Sequence, residues 1–311
     1  MSLPGFDELW RAADAQRAPV AVVAAGGDDP TVLEALRVAA ARGWVVPRVV
    51  GPEEAIRQVA GERGIDLSGF TLIAAAHDAT GAAAVAEVRG GRARLLMKGR
   101  IDTPALMRAV LDPEHGLRTE RVIGQFVLME IPRDGRRFLL TDTGIMVRPD
   151  VPARIDLLRS AVAMAQTLGV SRPRVAVMAA TETVKTAMPE TLDAAELQRR
   201  NEQGEISGCD VQGPLSFDLA YAAGAAGAKR IGGPVAGAAD ILLFPNLLSA
   251  NLTVKAIMYT ADCRYGGVLR GTAAPVVFMS RADTSAVRLD SLALTLALLN
   301  REAGPAAPGG A

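Results

Sequence analysis

Residues 18–51 read APVAVVAAGGDDPTVLEALRVAAARGWVVPRVVG. APVAVVAAG (18–26) is a short apolar run, the pattern of a strand buried on both faces. PTVLEALRVAAARG (30–43) opens on proline, spaces its apolar residues as an amphipathic helix does, and ends on Gly43. WVVPRVVG (44–51) is a second strand. The alternation continues outward. PEEAIRQVAGERG (52–64) carries two acids in a helix first turn, and GFTLIAAA (69–76) is a strand. TGAAAVAEVRGG (80–91) is a helix, and ARLLMKG (93–99) is a strand ending on Lys98-Gly99. This order predicts an α/β fold built on mainly parallel, doubly wound sheet with helices on both faces.

The middle changes character. RVIGQFVLMEIP and RRFLLTDTG, within 121–144, are two strand-like runs around RDG, a hairpin signal. Helix and strand signals then alternate again: a helix over 151–170, a strand over 174–182 and a helix near TLDAAELQRRNEQG. A strand-like ISGCDVQGPL, a helical FDLAYAAGAAGAKR, a strand over 239–246 and a helix over 247–261 follow. APVVFMS is a last strand, and 284–300 a closing helix. The expected organisation is two-lobed. Residues 1–121 with 270–311 form the first α/β lobe and 122–269 the second. The tail EAGPAAPGGA is expected to be disordered.

Composition narrows the function. Of 311 residues, 50% are hydrophobic and only 4% aromatic, so the core is aliphatic. Lys plus Arg and Asp plus Glu are 34 each, which leaves no global basic field for nucleic acid. No apolar stretch follows a basic segment at the N-terminus, and no run reaches the ~18 apolar residues of a membrane helix. With two separated cysteines, Cys209 and Cys263, the expectation is a cytoplasmic protein without membrane attachment. AAGGDDP (24–30) has adjacent glycines but two acids where a pyrophosphate would sit, so the dinucleotide fingerprint is absent. GxxxxGK[ST], HExxH and GxSxG are also absent, and the only histidines are His77 and His115.

What remains is polar residues at strand ends: Lys98-Gly99, Thr141-Asp142, Thr181-Glu182, Pro245-Asn246 and Ser280-Arg281. In a parallel α/β sheet the carboxyl ends of the strands line one crevice. An arginine there grips phosphate or carboxylate through paired donors, and a serine hydroxyl and helix N-termini add to that. The bland reading is that Ser280, or better Asp283, merely caps the following helix. Both stay open on the residues alone.

Six blocks in order, LLMKGRIDTPALMRAVL, GLRTERVIGQFVLMEIP, TETVKTAMPETLDAAEL, VQGPLSFDLAY, ADILLFPNLLSANLTVKAIMY and PVVFMSRADTSAVRLDSLAL, resemble the phosphate acetyl/butyryl transferases, nearest to their butyryltransferase branch. The resemblance implies reversible acyl transfer between coenzyme A and inorganic phosphate, with no permanently bound cofactor, no metal and no covalent acyl-enzyme. It implies a fold like the isocitrate and isopropylmalate dehydrogenases with the active-site cleft between the two lobes, small-molecule partners only, and a homodimer. Ser280 and Arg281 match the family's Ser-Arg pair, which stabilises phosphate and oxyanion. Lys98, Thr103, Arg108, Asn251 and Lys255 match substrate-binding positions. Two departures matter. Many acetyl-specific members carry an acid, the assigned thiol base, where this chain has Val287; Asp283 is the nearest carboxylate and is the candidate here. Arg100 is bulky where relatives have smaller residues. Two other readings stand beside this one: a degenerate acyl-CoA-binding module, and an NAD-dependent decarboxylating dehydrogenase.

Overall fold

The computed structural model describes residues 2–280 and 282–302, so the C-terminal tail, read above as disordered, lies outside the described residues from 303 onward. The chain divides into two compact units. The first is Phe6–Arg121 with the described residues from Gly266 onward; the second is Val122–Tyr265 with the residues up to Gly5.

The first unit opens with α1 (Phe6–Asp14), then β1 (Val20–Ala25), α2 (Pro30–Ala41), β2 (Val45–Gly51), α3 (Glu53–Arg63), β3 (Thr71–Ala74), α4 (Thr80–Arg89), β4 (Leu95–Lys98) and α5 (Thr103–Leu111). Strand order is β3-β2-β1-β4, all parallel. The chain steps outward from β1 to β2 to β3, then jumps back across β1 to β4. Right-handed crossovers therefore put α2 and α3 on one face and α4 on the other. The reversal between β1 and β4 is the topological switch point of this sheet. Both strands are apolar and buried over most of their length because helices cover both faces, as at Val22, Val23, Leu95 and Leu96.

The second unit contains β5 (Gly124–Ile131), β6 (Arg136–Thr141), α6 (Val151–Thr167), β7 (Arg174–Met178), α7 (Pro189–Glu202), β8 (Asp210–Leu215), α8 (Phe217–Tyr221), α9 (Ala223–Ala228), β9 (Ile241–Leu243) and α10 (Leu247–Thr260). β5 and β6 form the expected antiparallel hairpin, and β6, β9, β7 and β8 run parallel in that order. Val127, Phe138, Leu140, Met178, Phe244 and Val254 belong to its core. The chain then gives β10 (Arg264–Arg270), β11 (Val276–Val277) and α11 (Ser285–Glu302). β11 lies parallel to β4 and antiparallel to β10, so it adds to the first unit's sheet. α11 packs on α1 and α2.

The helical pattern expected over FDLAYAAGAAGAKR breaks in two. Ala222 is extended (φ −115, ψ 116), and the glycines that follow are poor helix formers. Sequence reading did not single out α1, α5 or β10. β10 hides its strand character behind Gly266-Gly267. A Cβ on Gly266 would come within 2.9 Å of the Ser291 backbone, so that glycine serves the close approach of α11.

Candidate active site

The first unit gathers its chemistry at the carboxyl ends of β1, β4 and β11. β1 and β4 meet there backbone to backbone. The Gly99 N–H donates to the Ala25 carbonyl at 2.9 Å, and the Arg100 N–H to the Gly26 carbonyl at 2.8 Å. Neither partner has room for a side chain. A Cβ on Gly99 would lie 2.1 Å from the Gly26 oxygen, and one on Gly26, whose φ is +88, would lie 2.5 Å from the Arg100 oxygen. The adjacent glycines of AAGGDDP thus serve packing between two strand ends.

The acids that follow them are structural. Asp29 caps α2: its Oδ1 accepts from the N–H groups of Thr31 (2.8 Å) and Val32 (3.3 Å) and from the Thr31 hydroxyl (2.7 Å). Asp28 is buried; its Oδ2 lies 3.5 Å from Nη1 of the exposed Arg100, and its Oδ1 has no hydrogen-bond partner among the described residues. Arg288, only 1% exposed, binds this turn to β4. Its Nη1 donates to the Lys98 carbonyl (3.0 Å), its Nε to the Thr31 hydroxyl (2.8 Å) and its Nη2 to Asp29 Oδ2 (3.4 Å). Burial lowers the pKa of this guanidinium, and Asp29 and Asp283 work against that shift. Sequence reading passed over Arg288.

Lys98 ends β4 and is 3% exposed. Thr103 is the first residue of α5, whose N-cap Asp102 makes no side-chain cap hydrogen bond, so those N–H groups are not capped by it. Arg108 sits in the last turn of α5. At about 100° and 1.5 Å per residue it points roughly 140° away from Thr103 and lies ~7.5 Å further along the helix. The geometry therefore groups Thr103, and not Arg108, with the start of α5.

Ser280 is exposed just past β11. Its N–H donates to Asp283 Oδ2 (2.7 Å), and its hydroxyl accepts from the Ala282 N–H (3.3 Å). Ser280 and Asp283 close a turn on each other. The cap expected of Asp283 falls instead to Thr284, whose hydroxyl accepts from the Val287 N–H at 3.4 Å. Arg281 lies outside the described residues.

The second unit has its own strand-end cluster. Asp142, buried after β6, is not presented to a ligand. Its carboxylate accepts from the N–H groups of Gln125 (2.9 Å), Gly144 (3.0 Å), Ile145 (3.2 Å) and Met146 (2.6 Å). Burial pushes its pKa above the usual carboxylate value, and these four donors hold the rise back. They fold residues 143–146 into a fixed loop. Asn246 caps α10 through Ser249 N–H (2.9 Å), and Asn251 Nδ2 donates to the Thr143 carbonyl (3.2 Å). Loop and helix enclose a cavity of about 510 Å³ lined by Gly144, Val147, Arg148, Asn246 and Asn251 among others. Lys255 is exposed one turn beyond Asn251 on the same helix face. Among the described residues no group of three His, Cys, Asp or Glu side chains is placed to hold a metal ion. None of their helices is long and apolar enough to cross a membrane.

An α/β protein with a buried lysine, an uncapped helix start and an exposed serine at neighbouring strand ends is equipped to hold a small anion. Comparison with known proteins makes that class specific. The family model described as phosphate acetyl/butaryl transferase matches residues 75–296. The phosphate butyryltransferase of Clostridium acetobutylicum is 36% identical over 293 residues, 94% of this chain and 97% of that one. The phosphate acetyltransferase of Rhizobium meliloti is 38% identical over 290 residues, 93% of this chain and 92% of that one. The crystal structure of a branched-chain phosphotransacylase from Enterococcus faecalis superposes with a TM-score of 0.79 at 29% identity, covering 90% of this chain and 99% of that one. The chain belongs to the phosphate acetyl/butyryl transferase family.

Proposed function

We propose that this chain is a phosphate acyltransferase, moving a short acyl group reversibly between the coenzyme A thiol and inorganic phosphate. The observation that carries the reading is the pairing of β11 with β4, Val277 beside Met97, which sets Ser280 and Lys98 at adjacent strand ends. A phosphate oxygen attacks the thioester carbonyl; a C–O bond forms, the C–S bond breaks, and the thiolate leaves with its electron pair and takes up a proton. Charge builds on the tetrahedral oxygen and is already present on phosphate. Lys98, the N–H groups beginning at Thr103, Ser280 and Arg281 are the donors assigned to it. Fixed donors of this kind each contribute on the order of 100-fold. Arg108, Asn251 and Lys255 are assigned to substrate binding, and Asp283 to the thiol proton. The associated architecture is the two-lobed type of the isocitrate and isopropylmalate dehydrogenases, and the working form is a cytoplasmic homodimer using acyl-CoA and phosphate alone.

The test is phosphate-dependent release of free CoA thiol from acetyl-, propionyl-, butyryl- and isobutyryl-CoA, with Arg281→Ala beside the wild type. Release that needs phosphate and disappears in Arg281→Ala is expected. Release independent of phosphate would make the chain a thioesterase. Folded protein that binds CoA and releases nothing would favour the second reading, a module that keeps acyl-CoA binding without turnover. Val287, in place of the acid common in acetyl-specific relatives, is what keeps that reading in view.

A further inference from the structure

We propose that the cavity beneath the N-terminal ends of β4 and β11 is a second binding site, for a small organic anion carrying two or more negative groups. The cavity measures about 610 Å³, within the size range of small-molecule sites. Its lining includes Arg89, Arg94 and Arg118 over an apolar floor with Leu117, Pro275 and Leu299, and no Asp or Glu lines it. Arg94 directly precedes β4, whose other end carries Lys98. Four residues at about 3.3 Å each separate Arg94 from Lys98 by roughly 13 Å of strand, so this is not the anion site proposed above.

Arg89 has a structural role of its own. It ends α4, where a cation suits the helix dipole, and it donates to the Glu114 and Gly116 carbonyls. Arg94 and Arg118 have no such role. Neither side chain has a hydrogen bond or ion pair among the described residues. Three carboxylates of the same unit are engaged elsewhere. Glu87 is held by Arg48 and Arg92, Glu302 by Arg270, and Asp112 accepts from the N–H groups of Glu114 and His115. Two unpaired guanidiniums facing one cavity that no acid among the described residues lines are matched by carboxylate or phosphate, which each fork can take in bidentate fashion. The floor accommodates a compact carbon skeleton. The ligand class is therefore a polycarboxylate or a phosphorylated metabolite.

Calorimetric titration of the full chain with citrate and with pyrophosphate, at low ionic strength, tests this. At least one is expected to bind, and which one does separates carboxylate from phosphate. Arg94→Ala/Arg118→Ala should weaken that binding by roughly tenfold or more, because each arginine contributes a charge-assisted bond. Ser280→Ala should leave it unchanged. Both arginines are exposed, so the double variant should fold, and its circular dichroism should match the wild type. Failure of both anions to bind, or equal binding to the double variant, would overturn the proposal, as would loss of binding in Ser280→Ala. None of these outcomes depends on acyl transfer.

Discussion

Arg288 and Lys98 stand 190 positions apart, and the guanidinium of one donates to the main-chain carbonyl of the other at 3.0 Å. Through that contact the closing helix, the α2 cap and the lysine-bearing end of β4 become one buried unit. Arg288→Met would leave Asp29 as a buried carboxylate without its cation. Breaking a buried pair from one side costs about 3–5 kcal/mol, and urea denaturation should show a loss of that size. Arg288→Lys, which keeps charge but not the three-way fork, should recover only part of it.

Gly99→Ala should destabilise by about 1–3 kcal/mol, because its Cβ would meet the Gly26 carbonyl at 2.1 Å and neither backbone can yield. Gly61→Ala is the control. It lies within α3 with nothing inside 4 Å of the added methyl, and should stabilise by about 0.5–1 kcal/mol. Thermal melts of the two variants should move in opposite directions.

Asp142 gives a pH prediction. Its pKa is raised in the folded chain above the ordinary 3.8. A raised carboxylate pKa contributes stability that is fully present below the unfolded value and is lost as pH rises through the folded value. Asp142→Asn removes that titration. The stability of wild type relative to Asp142→Asn should therefore be greater near pH 4 than at pH 7. At both pH values the variant should be less stable, since a carboxamide offers one acceptor oxygen where the carboxyl group uses two, Oδ2 taking the Met146 N–H. A stability difference that grows with pH would contradict the assignment.

Ser280→Ala should separate chemistry from folding. The side chain is exposed, so stability should stay within about 0.5 kcal/mol of wild type. Turnover in the phosphate-dependent assay should fall on the order of 100-fold. Comparable loss of stability and activity would assign the hydroxyl to the turn it makes with Ala282.

The strand-helix alternation of 18–99 was legible because parallel strands buried on both faces are continuous apolar runs, and their helices carry ordinary start and stop signals. Ser280 and Lys98 were legible as strand-end residues, and Thr103 only through the family resemblance. Arg288 was not: a buried arginine has no local signature, since its partners Asp29, Thr31 and Lys98 are all remote in sequence. Whether Asp283 caps the helix stayed open because spacing alone does not tell whether a carboxylate reaches forward to a helix or back to Ser280. Asp142 looked like a reactive strand-end acid until four main-chain donors were seen to converge on it.

By itself, then, the amino-acid sequence determined the α/β class, the hairpin at β5 and β6, and the family blocks, because periodicity, turn chemistry and motif order are local properties of the chain. Tertiary structure alone decided which polar groups are spent inside the protein and which are left to meet a ligand. Asp29, Asp142 and Arg288 satisfy one another or the backbone, while Ser280, Arg94 and Arg118 present side chains to solvent. The reason is that a buried charge must find its partner through space, and proximity in space is set by how the strands are ordered.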